Sequence, residues 1–193
     1  MKTKILRNTF ISVFVLCALA GLLAAGTRDG GEFMGVGNML PANTIVVTNT
    51  NDSGPGSLRA ALAVANDGDT IDATRVSGTI LLTSGALQIM RNVGITGPGA
   101  VKLAVNGNAT FTVFKNLASH VTISGFTITN GNGGGIFNQG GLTLNNSNVV
   151  SNTGGGIYNT TVNTEFTPMR VSNCIISGNS GSGISNFTPA GSS

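Results

Sequence analysis

The chain has 193 residues, which is enough for one domain or a small pair. Charged residues make up only 9 % where about 25 % is usual, and 29 residues are glycine. This composition excludes coiled coils and charged helical bundles, because their helices need salt-bridged surfaces. The hydrophobic content of 40 % and the positive mean hydropathy argue against a disordered chain. We therefore expect an all-β, turn-rich protein.

The N-terminal residues predict a secretory signal peptide. Lys2, Lys4 and Arg7 precede an apolar run from Phe10 to Ala25, and small residues follow it. The run is shorter than the ~20 residues of a membrane-spanning helix, so an uncleaved anchor is the less favoured alternative. Cleavage leaves seven cationic residues against seven acidic ones, which is close to neutral. We therefore expect a secreted or cell-surface protein with no membrane span after cleavage and no nucleic-acid partner.

The chain divides into a signal peptide, a glycine-rich flexible leader, an N-terminal strand with a helix, and a repetitive region, at residues 1–26, 27–43, 44–69 and 70–193. In the third segment, the β-branched run from Thr44 to Thr48 predicts a strand. Ser57 is the predicted N-cap of a helix from Leu58 to Ala65, which has one apolar stripe.

The fourth segment contains short apolar pairs at a period of two residues, separated by Gly, Asn and Ser. The pairs before the repeats are Ile80 and Leu82, Leu87 and Ile89, Val93 and Ile95, Val101 and Leu103, and Phe111 and Val113. Three gap-free copies then follow, at Val121–Asn138, Leu142–Asn159 and Met169–Asn186. The spacing of 21 residues between Ile136 and Ile157 is too short for a βαβ unit of about 30 residues. It suits three short strands and three turns, which predicts a parallel β-helix of about five to six rungs.

Aligned positions of the copies predict which side chains stack between turns. The apolar columns are Val121, Leu142 and Met169; Ile123, Leu144 and Val171; Ile128, Val149 and Ile176; and Ile136, Ile157 and Ile184. A polar column of Asn138, Asn159 and Asn186 lies two residues after the last apolar one, on the same inner face. We expect it to be a structural hydrogen-bonded ladder, with a ligand-binding row as the alternative.

Two further columns have a predicted structural role. The column of Gly135, Gly156 and Gly183 suits a turn that needs either a positive φ or a close backbone approach. Cys174, in the column of Phe126 and Ser147, is expected to be a buried, inert thiol. It is the only cysteine left after signal cleavage, so no intramolecular disulfide is expected.

A resemblance to a known group of proteins rests on five segments. They are VVTNTNDSGPGSLRAALAVANDGDTI, GTILLTSGALQI, NVGITGPGA and the GGGIFN and GGGIYN turns. The chain from Thr44 to Asn186 resembles bacterial secreted right-handed parallel β-helix repeat proteins. It is similar to the chlamydial polymorphic outer-membrane protein repeat group of the pectate-lyase-like superfamily. The resemblance implies a right-handed coil and a helix, Ser57 to Ala65, that caps its N-terminal end. It does not imply one activity, because some proteins of this fold cleave polysaccharides and others are surface proteins without an assigned activity.

The residues of the repeats predict no catalytic, cofactor-binding or metal site. The stretch from Ala73 to Thr164 contains no Asp and no Glu, although lyases and hydrolases of this fold need carboxylates. Elsewhere, Asp67, Asp69 and Asp72 are expected to hold turns, with cation binding as the alternative. Other candidates with a weaker case for chemistry are His120, Glu165 and Arg59, and Arg59 is expected to form an ion pair near the capping helix.

These observations favour an exported, non-catalytic β-helix that serves as a structural, adhesive or interaction module at the cell surface. The alternative is a polysaccharide-binding or polysaccharide-cleaving β-helix. Expected partners are surface glycans or other proteins. The chain after Asn186 shows no evident C-terminal cap. Three interpretations stay open: residues Phe187 to Ser193 close the end poorly, the gene product is shortened, or the open end associates with another copy.

Overall fold

The computed structural model describes residues 41–160 and 168–187, which contain sixteen strands and one helix. The strands are β1 (Thr44–Val46), β2 (Thr70–Asp72), β3 (Gly78–Leu81), β4 (Leu87–Ile89), β5 (Gly94–Thr96), β6 (Leu103–Asn106), β7 (Phe114–Asn116), β8 (Val121–Ser124), β9 (Thr127–Thr129), β10 (Ile136–Asn138), β11 (Leu142–Asn145), β12 (Asn148–Val150), β13 (Ile157–Thr160), β14 (Met169–Ser172), β15 (Ile175–Ser177) and β16 (Ile184–Phe187). The helix α1 spans Leu58–Val64. The predicted signal peptide, the leader before Pro41 and Glu165 lie outside the described residues.

Every strand pairs in parallel with the strand one turn away. Sheet 1 has the order β1-β2-β5-β8-β11-β14, sheet 2 has β3-β6-β9-β12-β15, and sheet 3 has β4-β7-β10-β13-β16. Strands β2 to β16 therefore form five turns of three strands each, with β1 before them. The prediction of a parallel β-helix is confirmed.

The interior consists of columns in which each turn places an apolar side chain on the equivalent residue of the next turn. In sheet 3, Ile136 pairs with Ile157 and Ile157 with Ile184, as predicted. The other three predicted columns show the predicted pairing as well. The longest column is in sheet 1 and runs through Ile45, Ile71, Ile95, Ile123, Leu144 and Val171. Its four middle members are fully buried.

Helix α1 forms where Ser57 satisfies a free amide of its first turn. The Ser57 hydroxyl accepts the N–H of Ala60 at 3.1 Å, so the predicted N-cap is confirmed. Leu58 is fully buried, and the helix packs on β2 and on β4, the first strand of sheet 3. The helix thus covers the N-terminal end of that sheet.

Strand β1 and helix α1 are each shorter than predicted. Strand β1 ends at Val46 rather than Thr48, because the next residues turn into the loop that leads to α1. The helix ends at Val64, and Ala65 is its extended C-cap. Val101, the first member of the period-two pair with Leu103, is 93 % exposed, because β6 begins only at Leu103.

The glycine column confirms the close approach and not the positive φ. A Cβ on Gly135 would lie 2.8 Å from Val149 Cγ1 and 2.9 Å from the backbone oxygen of Gly156. Positive φ values occur instead at the preceding residues, 117° at Gly134 and 134° at Gly155. The two requirements thus fall on neighbouring glycines of the same turn.

Candidate functional site

A ladder of asparagine amides runs through the interior of sheet 3. Asn116 Nδ2 donates to Asn138 Oδ1 at 2.7 Å, and Asn138 Nδ2 donates to Asn159 Oδ1 at 2.6 Å. Asn159 Nδ2 donates in turn to Asn186 Oδ1 at 2.9 Å. Asn138 is fully buried and also donates to the oxygen of Gly140. The predicted structural ladder is confirmed, because its amides satisfy each other and the turn backbone.

The structure adds one asparagine to the ladder and a second amide pair, neither of which the sequence analysis identified. Asn116 extends the ladder by one turn, and a second amide pair joins the turns at Asn152 and Asn179. Asn152 Oδ1 accepts the N–H of Gly131 at 2.8 Å, and its Nδ2 donates to Asn179 Oδ1 at 2.9 Å. The signal for this pair was present, since Asn152 and Asn179 occupy one aligned position where the first copy has Gly131.

The three aspartates after α1 hold turns, as expected. Asp69 accepts the N–H groups of Asn43 and Asn66, each at 2.8 Å, and these hydrogen bonds lower the pKa of its carboxyl. Asp67 accepts the N–H of Asn92 at 2.7 Å. Within the described part of the chain, no three His, Cys, Asp or Glu side chains come together as a metal site.

Asp72 acts in the same way on its own turn. The hydroxyl and the backbone N–H of Thr74 donate to its carboxylate, and these hydrogen bonds lower the pKa of Asp72. Its oxygens are thus used to stabilise the corner after β2. All three aspartates, Asp67, Asp69 and Asp72, thus accept hydrogen bonds from backbone N–H groups.

A fourth carboxylate, Asp52, forms the expected ion pair with Arg59. Arg59 Nη2 lies 2.6 Å from Asp52 Oδ1, and the side chains are 25 % and 7 % exposed. The same guanidinium donates to the backbone oxygens of Gly85 and Ala86 at 2.6 Å and 2.9 Å. Arg59 therefore ties α1 to the preceding loop and to the turn between β3 and β4.

The environment of Asp52 favours its ionised form. Burial alone would raise the pKa of Asp52, but hydrogen bonds from Ser84, Arg59 and Thr83 outweigh it. The pKa falls from the ordinary 3.8 to about 2. This cluster is a structural clamp at the N-terminal end of the solenoid.

The outward face of sheet 1 carries two columns of mostly hydroxyl and amide side chains. One column is Thr44, Thr70, Gly94, Thr122, Thr143 and Arg170, and the other is Val46, Asp72, Thr96, Ser124, Asn145 and Ser172. They alternate with the buried column of the same strands, so they face outward, and neighbouring members are about 4.8 Å apart. The sequence signal was the alternation in TID, GIT, VTIS and LTLN.

A shallow cavity of about 380 Å³ lies on this face over Gly94. Gly94 lacks a side chain, and His120, Thr122, Thr143 and Arg170 line the surrounding wall. His120 is exposed, and its backbone N–H donates to Asn92 Oδ1 at 2.8 Å. The cavity thus combines one guanidinium, one imidazole and two hydroxyl groups.

The outward face of sheet 3 is aromatic instead. Phe137 and Tyr158 stack with ring centroids 5.5 Å apart and planes at 10°, and Phe187 continues the stack at 6.4 Å. Lys115 Nζ lies 5.7 Å from the centroid of Phe137. Because the ring faces contact one another, the stack presents ring edges to solvent, and a planar ligand finds few free faces.

Cys174 is half-buried rather than buried. Its thiol donates to the oxygens of Ser172 at 3.1 Å and Leu144 at 3.5 Å. Ser147, at the equivalent position one turn earlier, donates to the oxygen of Asn145 at 2.7 Å and is fully buried. Cys174 therefore has the predicted inner position, but it is more exposed than Ser147, which has stacked turns on both sides.

Among the described residues, no helix has the length and apolar character needed to cross a membrane. Comparison with known proteins finds no matching protein-family model, no similar curated protein and no similar solved structure. The structure thus shows a parallel β-solenoid, and no family is assigned.

Proposed function

We propose that this chain is an exported, non-catalytic β-helix protein that serves as a structural, adhesive or interaction module at the cell surface. The observation that carries the proposal is the outward face of sheet 1, where hydroxyl and amide groups repeat across six strands. Such a face offers regularly spaced neutral donors and acceptors to an extended partner. The aspartates near α1 support a non-catalytic role, because backbone N–H groups donate to both carboxylate oxygens of Asp69 and to one oxygen each of Asp67 and Asp72.

Export is part of this proposal and rests on the N-terminal sequence. Lys2, Lys4 and Arg7 precede an apolar run, and the residues after it are small. Expression of the full chain in a bacterial host, followed by fractionation and N-terminal sequencing, tests it. A mature N-terminus near residues 20–27 outside the cytoplasm is expected, and an intact Met1 in the cytoplasm would contradict export.

We also propose a family for this parallel β-helix. Segments such as GSLRAALAVANDGDTI and GGGIFN support a place among right-handed, pectate-lyase-like β-helix proteins of the chlamydial outer-membrane repeat type. The five parallel turns and the helix at the N-terminal end are compatible with that assignment. An experimental structure that shows a left-handed coil would overturn it.

A second candidate function is the binding or cleavage of a polysaccharide. The cavity over Gly94 favours it, because Arg170, His120, Thr122 and Thr143 offer donors to sugar hydroxyl or carboxylate groups. Cleavage would also need an acid or base. That role would fall to Glu165 or to the aspartates after α1.

A glycan and polysaccharide screen of the full chain separates the non-catalytic proposal from polysaccharide cleavage. The screen records binding together with the appearance of unsaturated or reducing sugar ends. Binding without turnover, lost in a Thr122→Ala and Thr143→Ala double variant, is expected of an adhesive face on sheet 1. Thr79→Ala is the matched control, since Thr79 faces outward from sheet 2. Turnover would overturn the non-catalytic proposal, and binding that both variants retain would move the binding face elsewhere.

A further inference from the structure

The sequence contains three Asn-Gly dipeptides, and each lies at or just after the end of a strand of sheet 2. They are Asn106-Gly107 at the end of β6, and Asn130-Gly131 and Asn132-Gly133 after β9. Glycine has no side chain to shield its backbone nitrogen, so this nitrogen can attack the side-chain carbonyl carbon of the asparagine before it. The attack needs both groups to move towards each other. The contacts of each pair therefore decide whether the reaction occurs in the folded protein.

The first two pairs are held by hydrogen bonds on both residues. Asn130 Nδ2 donates to Asn106 Oδ1 at 3.1 Å, so the two asparagine side chains hold each other. The N–H of Gly107 donates to the last backbone oxygen of β9 at 3.0 Å. The N–H of Gly131 donates to Asn152 Oδ1 at 2.8 Å. An attack by either nitrogen would have to break these hydrogen bonds.

The glycines of the first two pairs are also tightly enclosed. Gly107 and Gly131 are both buried. A Cβ on Gly107 would overlap the backbone oxygen of Phe111, and one on Gly131 would overlap the backbone oxygen of Gly134. The backbone at these glycines therefore cannot turn towards a side chain without displacing its neighbours.

The third pair, Asn132-Gly133, has looser surroundings. Both residues are exposed. Within the described part of the chain, the Asn132 side chain forms no hydrogen bond, and the Gly133 N–H forms none of regular geometry. The pair is anchored by the Asn132 N–H, which donates to the oxygen of Phe111 at 3.0 Å, and by an isolated bridge to Thr153. A Cβ on Gly133 would meet only the Thr112 hydroxyl, at 3.3 Å, so the glycine has room to turn.

We propose that Asn132 is a self-modification site, at which deamidation converts the asparagine to aspartate or isoaspartate. The Gly133 nitrogen forms a bond to Cγ of Asn132 and gives up its proton. The bond from Cγ to Nδ2 breaks, and this nitrogen takes up a proton and leaves as ammonia. Water then opens the cyclic imide at either of its two carbonyl groups, which yields aspartate or isoaspartate. The reaction needs water alone and transfers no electrons.

The modification changes the charge of a part of the solenoid that has no acidic residue. The sequence from Ala73 to Thr164 contains no Asp and no Glu, so the product would be its only carboxylate. This carboxylate lies at the corner between β9 and β10, and sheet 1 is not involved. The inference therefore goes beyond the proposed function and does not depend on it.

Peptide mapping by mass spectrometry tests the proposal on the full chain as it accumulates in the expressing host, incubated at mildly alkaline pH. The mass gain of one dalton should appear at Asn132 at least tenfold faster than at Asn106 or Asn130. The latter two are matched controls within the same molecule, because they share the dipeptide and differ in their contacts. In protein unfolded by guanidinium chloride, the three rates should differ by less than threefold, because only the dipeptide then matters.

Asn132→Gln should lose the early mass gain, because glutamine would have to form a larger ring. Circular dichroism of this variant and of the wild-type protein checks that both are folded. Modification that begins at Asn106 or Asn130 in the folded protein would overturn the proposal. So would equal rates at the three pairs of the folded protein, or an unmodified Asn132 after a time in which the unfolded protein reacts at all three.

Discussion

Isoleucine side chains of the inner columns differ in exposure between the two ends of the solenoid. Ile71, in the first full turn, is fully buried, whereas Ile184, in the last described turn, is 39 % exposed. Both are isoleucines of inner columns, so the difference arises from their neighbours. Ile71 has strand partners on both sides, at Ile45 and Ile95, whereas Ile184 has one partner, Ile157, among the residues that the structure describes.

A solenoid turn is stabilised chiefly by the turns beside it. At the N-terminal end, β1, α1 and the Asp52–Arg59 clamp take the place of a further turn. At the C-terminal end, none of the described residues does so. The first end should therefore contribute more stability per residue than the last.

The largest expected effect comes from alanine at equivalent core positions of the two ends. Ile71→Ala should lower the free energy of unfolding by about 2–5 kcal/mol, because it leaves a cavity between two occupied turns. Ile184→Ala should cost only about 1–1.5 kcal/mol, since its side chain is partly solvated already. Urea denaturation of dilute protein measures both. Equal losses would show that the last turn is as well covered as the first.

The asparagine ladder allows the same comparison for polar groups. Asn138→Ala should cost about 1–3 kcal/mol, because it removes a fully buried partner from Asn159 and from the oxygen of Gly140. Asn186→Ala removes the last member, which is exposed, and should cost less than about 1 kcal/mol. Thermal unfolding of both variants decides the order. A larger loss for Asn186→Ala would contradict the ladder's dependence on burial.

The clamp at the N-terminal end predicts a dependence of stability on pH. The pKa of Asp52 in the folded protein is about 2, below its ordinary value of 3.8. The clamp's contribution is therefore complete above about pH 4 and is lost as the pH falls towards 2. From the two pKa values it amounts to about 2 kcal/mol.

Urea denaturation across this pH range, in the wild-type protein and in Asp52→Asn, measures that contribution. The variant should be less stable at pH 7 and should lose less stability between pH 4 and pH 2. An unchanged pH profile in the variant would show that other carboxylates cause the dependence.

The smallest effect is expected at the start of α1. Ser57→Ala removes the hydroxyl that accepts from the Ala60 amide and should cost about 1 kcal/mol. Ser53→Ala, on an exposed residue of the same loop, should change stability little. Thermal melts of the two variants make the comparison. A loss as large in Ser53→Ala would mean that the loop, rather than the cap, is the sensitive feature.

Much of the interior was predictable from the repeats, because stacked side chains must be similar for neighbouring turns to pack. The column of Ile136, Ile157 and Ile184 and the register of its strands followed from a gap-free alignment. Asn116 was missed because the turns differ in length: it lies 22 residues before Asn138, whereas Asn138 lies 21 residues before Asn159.

The candidate site was less predictable than the core. Outward residues of sheet 1 do not pack on one another in a dry interior, so Gly94, Thr122 and Arg170 can share one column without an obvious pattern. The cavity they line exists only after four turns are stacked, because its residues come from β5, β8, β11 and β14. Val101 and Leu103 form a period-two apolar pair in the sequence, but β6 begins only at Leu103, and Val101 is exposed.

The sequence by itself determined the parallel β-helix, the inner columns and the caps and turns, since these depend on spacing and on local hydrogen bonds. Only the tertiary structure decided which columns share a face, how Asp52 and Arg59 join distant loops, and how deeply each described turn is buried. The physical reason is that burial and electrostatics depend on what the other turns place beside a residue. In this protein, an isoleucine of an inner column is fully buried in the first full turn, at Ile71, and partly exposed in the last described turn, at Ile184.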